Sequence, residues 1–470
     1  MIYGRKDEVR LLREKNWRKQ AALVVIYGRR RVGKTSLIEF AYQNETVWKF
    51  EGLEGDSSQV QLKHFYQKLC FYLPELRSKG LSPSNWSDGL VLLAEELKKQ
   101  NKPVIVFFDE FQWLASQRSP FVSLFKSYWD NYFLKLRYCR FILCGSISSF
   151  MVKKVIRSKA FYGRIDTEIN LLPLPLPDAA LFFEKKRERS EVIEIAMTLG
   201  CIPQYLKELN PDFSLKQNLK EYAFSQSGFF FQEFHRLFIS HFGKNLIYEK
   251  IIEKLSQKTQ SAEQLATYCL TQTGGRFSDL LSDLELAGFI EKYSPLDSGL
   301  HSKLILYRIY DEYLHFYFRF IKPNTQQIIH GHFEPSLLLN NVTYRQWQGI
   351  AFERLCRKNS KLIAEYLRFS GIEYRCGSWF SHENKNSSGA QIDLLFERKD
   401  RILTVCEMKH TESLSGEKLV QDFEKKIKTL KQNYPRFGVQ KILILGETIE
   451  IPDKVKKYFD SILFAEDVLF

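Results

Sequence analysis

Three stretches of the chain are apolar without a break, and each ends in small or charged residues. Ala-Leu-Val-Val-Ile-Tyr at 22–27, Val-Ile-Val-Phe-Phe at 104–108 and Phe-Ile-Leu-Cys at 141–144 show none of the alternation of a strand with one wet face. Such runs predict strands covered on both sides, as in a parallel sheet between helix layers. Thr-Val-Trp-Lys-Phe at 46–50 and the run from Ile165 to Leu172 predict two more strands. Residues 57–100 read as helices with polar loops, and residues 3–12 lead into a short amphipathic helix.

The period then changes. Residues 245–256 are amphipathic at helical spacing, and Ser261-Ala262-Glu263-Gln264 is a capping box for a second helix. Phe277, Leu280, Leu281 and Leu284 mark a third helix. Glu291-Lys292-Tyr293, a loop with Pro295 and Gly299, and Leu304-Ile305-Leu306-Tyr307 predict a hairpin. Three helices and a hairpin predict a winged helix-turn-helix. Its third helix carries Ser278, Asp279, Ser282, Asp283 and Glu285 at its polar positions. Those carboxylates would repel phosphates, so packing or switching is the better reading than base recognition. Arg276, Lys292, His301 and Lys303 leave the hairpin able to touch a backbone. The aromatic segment 310–321 predicts a helix of inter-domain core. Residues 336–470 alternate helices and strands again.

Composition narrows the class. With 470 residues and 44% hydrophobic content, the chain can bury several ordinary cores. A net charge of +14 favours a polyanionic partner, nucleic acid first and acidic membrane second, or else reflects a basic proteome. The eight cysteines form no C-x-x-C pair, which argues against a zinc site or a disulfide framework. The N-terminus is too charged for a secretory signal, and no apolar run reaches membrane-spanning length. A cytoplasmic protein without a membrane partner is expected.

Two constellations carry chemistry. Gly28-Arg29-Arg30-Arg31-Val32-Gly33-Lys34-Thr35 follows the first strand and Ser36 opens toward a helix, the order of a phosphate-binding P-loop. Glycines let backbone N–H groups wrap a triphosphate at the positive end of the helix. Lys34 would meet the β- and γ-phosphates, and the Thr35 hydroxyl would ligate Mg²⁺. The strand at 104–108 ends in Asp109 and Glu110, one to hold the Mg²⁺ shell and one to orient or deprotonate the attacking water. Ser146 sits where a hydroxyl could sense the γ-phosphate or simply turn the chain. Arg164 could reach a nucleotide, its own or a neighbour's, or be a surface arginine. Action on a neighbour would require a homo-oligomer.

These motifs resemble the archaeal-type ATPases of the STAND/AAA+ group. The likeness rests on the P-loop, the strand ending Asp109-Glu110-Phe111-Gln112, the strand ending Gly145-Ser146, the Gly163-Arg164 pair, and Gly200-Cys201-Ile202-Pro203-Gln204-Tyr205-Leu206. The last is similar to that group's G-G-x-P-x-Y-L motif, with Cys201 at the second glycine. The resemblance covers roughly residues 1–240 and implies an ATP- and Mg²⁺-binding sheet of the ASCE type with a helical lid. Gly28, Arg31, Gly33, Lys34, Thr35, Ser36, Asp109, Ser146 and Arg164 are its candidate nucleotide-binding residues.

The second constellation lies in the last third. If the charged turn 397–401 folds about Asp400, Asp393 faces Glu407, and a period of two puts Lys409 beside Glu407. Two carboxylates at one spot repel unless a cation joins them, and Mg²⁺ or Mn²⁺ suits such oxygen ligands. A lysine there can lower the pKa of a bound water or stabilise a phosphorane. Glu353, on an upstream helix, would add another oxygen. The competing reading is a hairpin of solvated ion pairs. The pattern D-x13-E-x-K with a helix glutamate ahead resembles the PD-(D/E)xK nuclease fold. ATPases of the type above commonly carry a related domain, in some copies without its active residues.

The expected organisation is therefore an ATPase core at 1–175, a helical lid at 176–243, a winged helix at 244–310, a linker helix at 311–335 and a nuclease-like α/β domain at 336–470. The expected function is an ATPase whose nucleotide state gates a metal-dependent DNA endonuclease. The catalytic residues would be Glu110, Glu353, Asp393, Glu407 and Lys409, with Thr35, Asp109, Asp393 and Glu407 holding metal. The rivals are a nucleotide switch with an inactive nuclease-like domain and a DNA-binding regulator.

Overall fold

The computed structural model describes the chain except residues 1, 15–18, 79, 81, 116–118, 147, 160, 184–185, 244, 297–303 and 382–388. Gly299, His301 and Lys303 of the expected hairpin lie outside the described residues. Contacts divide the chain into two compact units. One comprises Met1–Leu174, Ile202–Gln204 and Leu281–Gly288, and the other holds the rest.

The first unit is built on five parallel strands: β1 (Ala22–Tyr27), β2 (Thr46–Glu51), β3 (Val104–Asp109), β4 (Cys139–Gly145) and β5 (Thr167–Asn170). Their order is β2-β3-β4-β1-β5. Every residue of β1, β3 and β4 is buried, which is why these strands read as unbroken apolar runs. Alternate side chains feed two cores. Leu23, Val25 and Tyr27 face one with Phe108 and Phe141, while Ala22, Val24 and Ile26 face the other with Phe107 and Ile142. The edge strands β2 and β5 are only partly buried. The strand expected over 165–172 is shorter for that reason: it pairs with β1 alone, over Thr167–Asn170.

In the second unit, capping boxes at Ser214–Gln217 and Ser261–Gln264 start the helices Leu215–Tyr222 and Ala262–Tyr268. The helix Leu246–Gln257 precedes a small sheet of β6 (Gln260–Ser261), β7 (Ile290–Tyr293) and β8 (Leu306–Ile309), ordered β6-β8-β7. The returning hairpin strand lies two residues later than the apolar run 304–307 predicts. Pairing sets it: Ile309 sits opposite Ile290 and is buried, while Leu304 and Ile305 stay exposed. The aromatic segment is not one continuous α-helix. It is α-helical over Glu312–Phe316 and passes into a π-helical turn over Tyr317–Ile321, with Tyr317, Phe318 and Phe320 all buried.

The C-terminal sheet of this unit is mixed: β9 (Tyr374–Ser381), β10 (Ala390–Arg398), β11 (Ile402–Lys409), β12 (Gly438–Leu445) and β13 (Ser461–Phe464), ordered β13-β12-β11-β10-β9. β9, β10 and β11 pair antiparallel, and β11, β12 and β13 pair parallel. The helix Gly416–Asn433 packs Leu419, Val420 and Phe423 into its core. Among the described residues no helix is long and apolar enough to cross a membrane.

Candidate functional site

The P-loop joins β1 to the helix Lys34–Ala41. At Gly28, with φ 151°, an added Cβ would stand 2.3 Å from the Leu171 carbonyl oxygen, so only glycine lets the loop leave the sheet there. Gly33 closes the loop at φ 88°. Arg31, though not glycine, also has positive φ, 77°, and its carbonyl accepts the Gln204 N–H at 3.3 Å. The Ile202-Pro203-Gln204 segment thereby touches the loop.

Lys34 is buried and donates to the carbonyl oxygens of Gly28 and Arg29, each at 2.9 Å. Burial lowers the pKa of its ammonium, with Glu110 and Asp109 among the groups opposing. The Thr35 hydroxyl donates to Asp109 Oδ2 at 3.0 Å, so the two proposed Mg²⁺ ligands already meet. Asp109 Oδ2 also pairs with Lys49 Nζ at 3.0 Å. Burial works against the Lys49 charge, yet Asp109 holds its pKa above the ordinary value. Lys49 was not among the sequence candidates. Its signal is a lone lysine within the strand Thr-Val-Trp-Lys-Phe, next to the strand that ends in Asp109.

Glu110 leaves β3 in the left-handed region, φ 47° and ψ 46°. That turn aims its carboxylate at Ser146, whose hydroxyl donates to Glu110 Oε2 at 2.7 Å. The Gln112 amide donates to Glu110 and, at 3.2 Å, to Ser146 Oγ. Carboxylate, amide and hydroxyl thus form one network linking the ends of β3 and β4. Arg164 is not brought to the P-loop by any bond found for it. It makes a two-pronged pair with Asp130, at 2.6 and 2.9 Å, and donates to the Tyr162 carbonyl. Arg5, unassigned from sequence, is buried and donates to the Leu172 carbonyl at 2.5 Å and the Val32 carbonyl at 3.4 Å, bracing the loop from below.

The second unit carries the other constellation. The pairing of β10 with β11 runs as far as Leu394 opposite Cys406, one residue short of Asp393 and Glu407. Lys409 Nζ meets Glu407 Oε1 at 2.8 Å. Glu407 Oε2 meets Lys426 Nζ, also at 2.8 Å. Lys426, on the helix Gly416–Asn433, was not among the sequence candidates. Burial pushes the Glu407 pKa up, but the two ammonium groups outweigh it and hold it below the usual value. Burial and the nearby Asp393 charge push the Glu353 carboxyl up to about 7, against Arg357 and Lys409. Lys409 in turn feels Glu353 and Asp393. Glu353 and Lys409 therefore each feel the other three predicted charges. The Gln391 amide donates to Asp393 Oδ1 at 2.8 Å, and a cavity of about 390 Å³ opens beside them between Gln391, Asp393, Lys425 and Lys426. Among the described residues, no three His, Cys, Asp or Glu side chains are grouped to hold a metal ion.

Residues 2–209 match the model of a family described as an ATPase domain predominantly from Archaea. Residues 317–425 match a family described as archaeal and bacterial proteins of unknown function. An uncharacterised protein of Methanocaldococcus jannaschii is 27% identical over 481 residues, spanning 99% of both chains. An uncharacterised ATP-binding protein of the same organism is 43% identical over 47 residues, 10% of this chain and 80% of that one. The solved structure of a Walker-type ATPase of Pyrococcus abyssi aligns with a TM-score of 0.49 and 20% identity, over 68% of this chain and 96% of that one. With the P-loop, the paired Thr35 and Asp109, and the parallel sheet that holds them, residues 2–209 are similar to an ATPase domain found predominantly in Archaea.

Proposed function

We propose that this protein binds and hydrolyses ATP with Mg²⁺ at the P-loop and uses that cycle to gate a metal-dependent DNA endonuclease in its C-terminal domain. The contact from Thr35 to Asp109 supports the ATPase half, because these oxygens share one Mg²⁺ shell in such sites. Lys34 would turn from the loop carbonyls to the β- and γ-phosphates. Glu110, held by Ser146 and Gln112, would orient the attacking water.

The observation that carries the endonuclease half is the convergence of Glu353, Asp393, Glu407 and Lys409. Asp393 and Glu407 would hold Mg²⁺ or Mn²⁺, with Glu353 as a further oxygen. Lys409 would stabilise charge on the phosphorane. The helices Leu246–Gln257, Ala262–Tyr268 and Gly275–Leu286, with β7 and β8, supply the parts of a winged helix, which would relay the nucleotide state. The cytoplasm, a DNA partner and a homo-oligomer in which Arg164 acts on a neighbour belong to the same proposal.

One observation favours the rival of a switch with an inactive nuclease-like domain: both Glu407 oxygens already hold ammonium groups. A plasmid-cleavage assay with Mg²⁺ or Mn²⁺, with and without ATP, separates the two. Cleavage by the wild type and none by an Asp393→Ala/Lys409→Ala double variant supports the nuclease. Equally intact plasmid in both leaves the switch.

A further inference from the structure

A second buried cluster of charge in this unit takes no part in either proposed reaction. The helix Val342–Lys358 turns Arg354, Arg357 and Lys358 toward β7, β8 and Tyr310. Between them lies a cavity of about 200 Å³ lined by Glu291, Arg308, Tyr310, Arg354, Arg357 and Lys358. Two of its cations are answered. Arg308 Nε pairs with Glu291 at 2.7 Å, and its guanidinium lies 4.1 Å from the centre of the Tyr293 ring. Lys358 Nζ bonds both Glu312 oxygens, at 2.6 and 2.8 Å.

Arg354 is not answered. It is 5% exposed, and Nε, Nη1 and Nη2 all lack a hydrogen-bond partner. Glu312 and Glu353 act on its charge without bonding it, and Arg357 and Arg308 repel it. Arg357 feels the same repulsion from Arg308, with Asp393, Glu353 and Glu291 acting to offset it. Of the carboxylates near these four cations, Glu291 and Glu312 are already paired with Arg308 and Lys358, and none bonds Arg354. A buried guanidinium with no acceptor is costly, and native structures leave few such groups unmatched. Water can accept hydrogen bonds there but cannot offset the charge. A tetrahedral oxyanion does both, because its oxygens match the guanidinium fork. At this volume the cavity has room for a phosphate group and a few waters. It falls below the roughly 300 Å³ of pockets that enclose a larger ligand.

We infer that this cavity is a phosphate-binding site, separate from the P-loop, in which Arg354 and Arg357 clamp a free phosphate ion or the terminal phosphate of a nucleotide or strand. The site does not depend on the cleavage reading. The bound group would tie the helix Val342–Lys358 to the hairpin of β7 and β8.

The test is calorimetric titration of inorganic phosphate into the full-length Lys34→Ala variant, which removes the P-loop lysine. One saturable site is expected, with an accompanying rise in melting temperature. Arg354→Met, added to that background, should weaken the affinity at least tenfold and leave the phosphate-free protein as stable or more so, since it removes a buried unmatched charge. Arg357→Gln should weaken it as well, and carries the test if the first variant does not fold. A 5′-phosphorylated dinucleotide that displaces phosphate where its 5′-hydroxyl counterpart does not would identify a strand end as the source. Displacement by neither would identify the free ion, and either result supports the site. No saturable phosphate binding in Lys34→Ala, undiminished binding in the arginine variants, or equal saturation by chloride would overturn it.

Discussion

At the scale of single residues, burial decides which charges do chemistry. Lys34 has little water around it and is held by loop carbonyls, so its ammonium is aimed rather than solvated. Lys34→Ala should lower ATP turnover by about 100-fold or more, as removing a preorganised donor does, while circular dichroism stays native. Glu353 makes the opposite case. Its folded pKa of about 7 lies above the ordinary 4.5, so the fold prefers its neutral form. Below pH 4.5 both folded and unfolded chains hold the proton, and nothing is lost. As pH rises toward 7 the unfolded chain ionises first, and by pH 8 the deficit is full, roughly 3 kcal/mol. Glu353→Gln should therefore raise the melting temperature at pH 8 much more than at pH 5. An equal shift at both pH values would show that Glu353 ionises freely. In the cleavage assay the same variant should lose activity at either pH.

At the scale of elements, the loop between β1 and its helix depends on close backbone approach. Gly28 passes Leu171, just beyond β5, with no room for a methyl group. Gly28→Ala should cost about 2 kcal/mol or more in a urea melt and weaken ATP binding by moving the loop off the sheet. The buried strands could be read from sequence because parallel packing makes them apolar on every residue. The limits of the returning hairpin strand could not, because strand pairing sets them. The acidic third helix shows the same division. Its apolar spacing was plain, but only the fold pairs Asp283 with Lys153 at 2.8 Å.

For the whole molecule, a net charge of +14 makes association with polyanions dependent on ionic strength. Affinity for duplex DNA should drop about tenfold or more between 50 and 200 mM salt, measured by fluorescence anisotropy. A flat salt response would remove nucleic acid as the partner of this charge.

The order of motifs was enough to identify the ATPase domain, because a phosphate loop, its strand and its carboxylates are local in sequence and each is specified by a short run. Local pairing also made the Glu407–Lys409 contact readable, since a period of two on one strand fixes it. Only the tertiary structure decided what meets those groups from elsewhere: Lys49 on Asp109, Lys426 on Glu407, Asp130 on Arg164, and the unmatched Arg354. A lysine or arginine on a helix or strand looks the same in sequence whether it faces water or a buried carboxylate. Its role is set by burial and by partners distant along the chain.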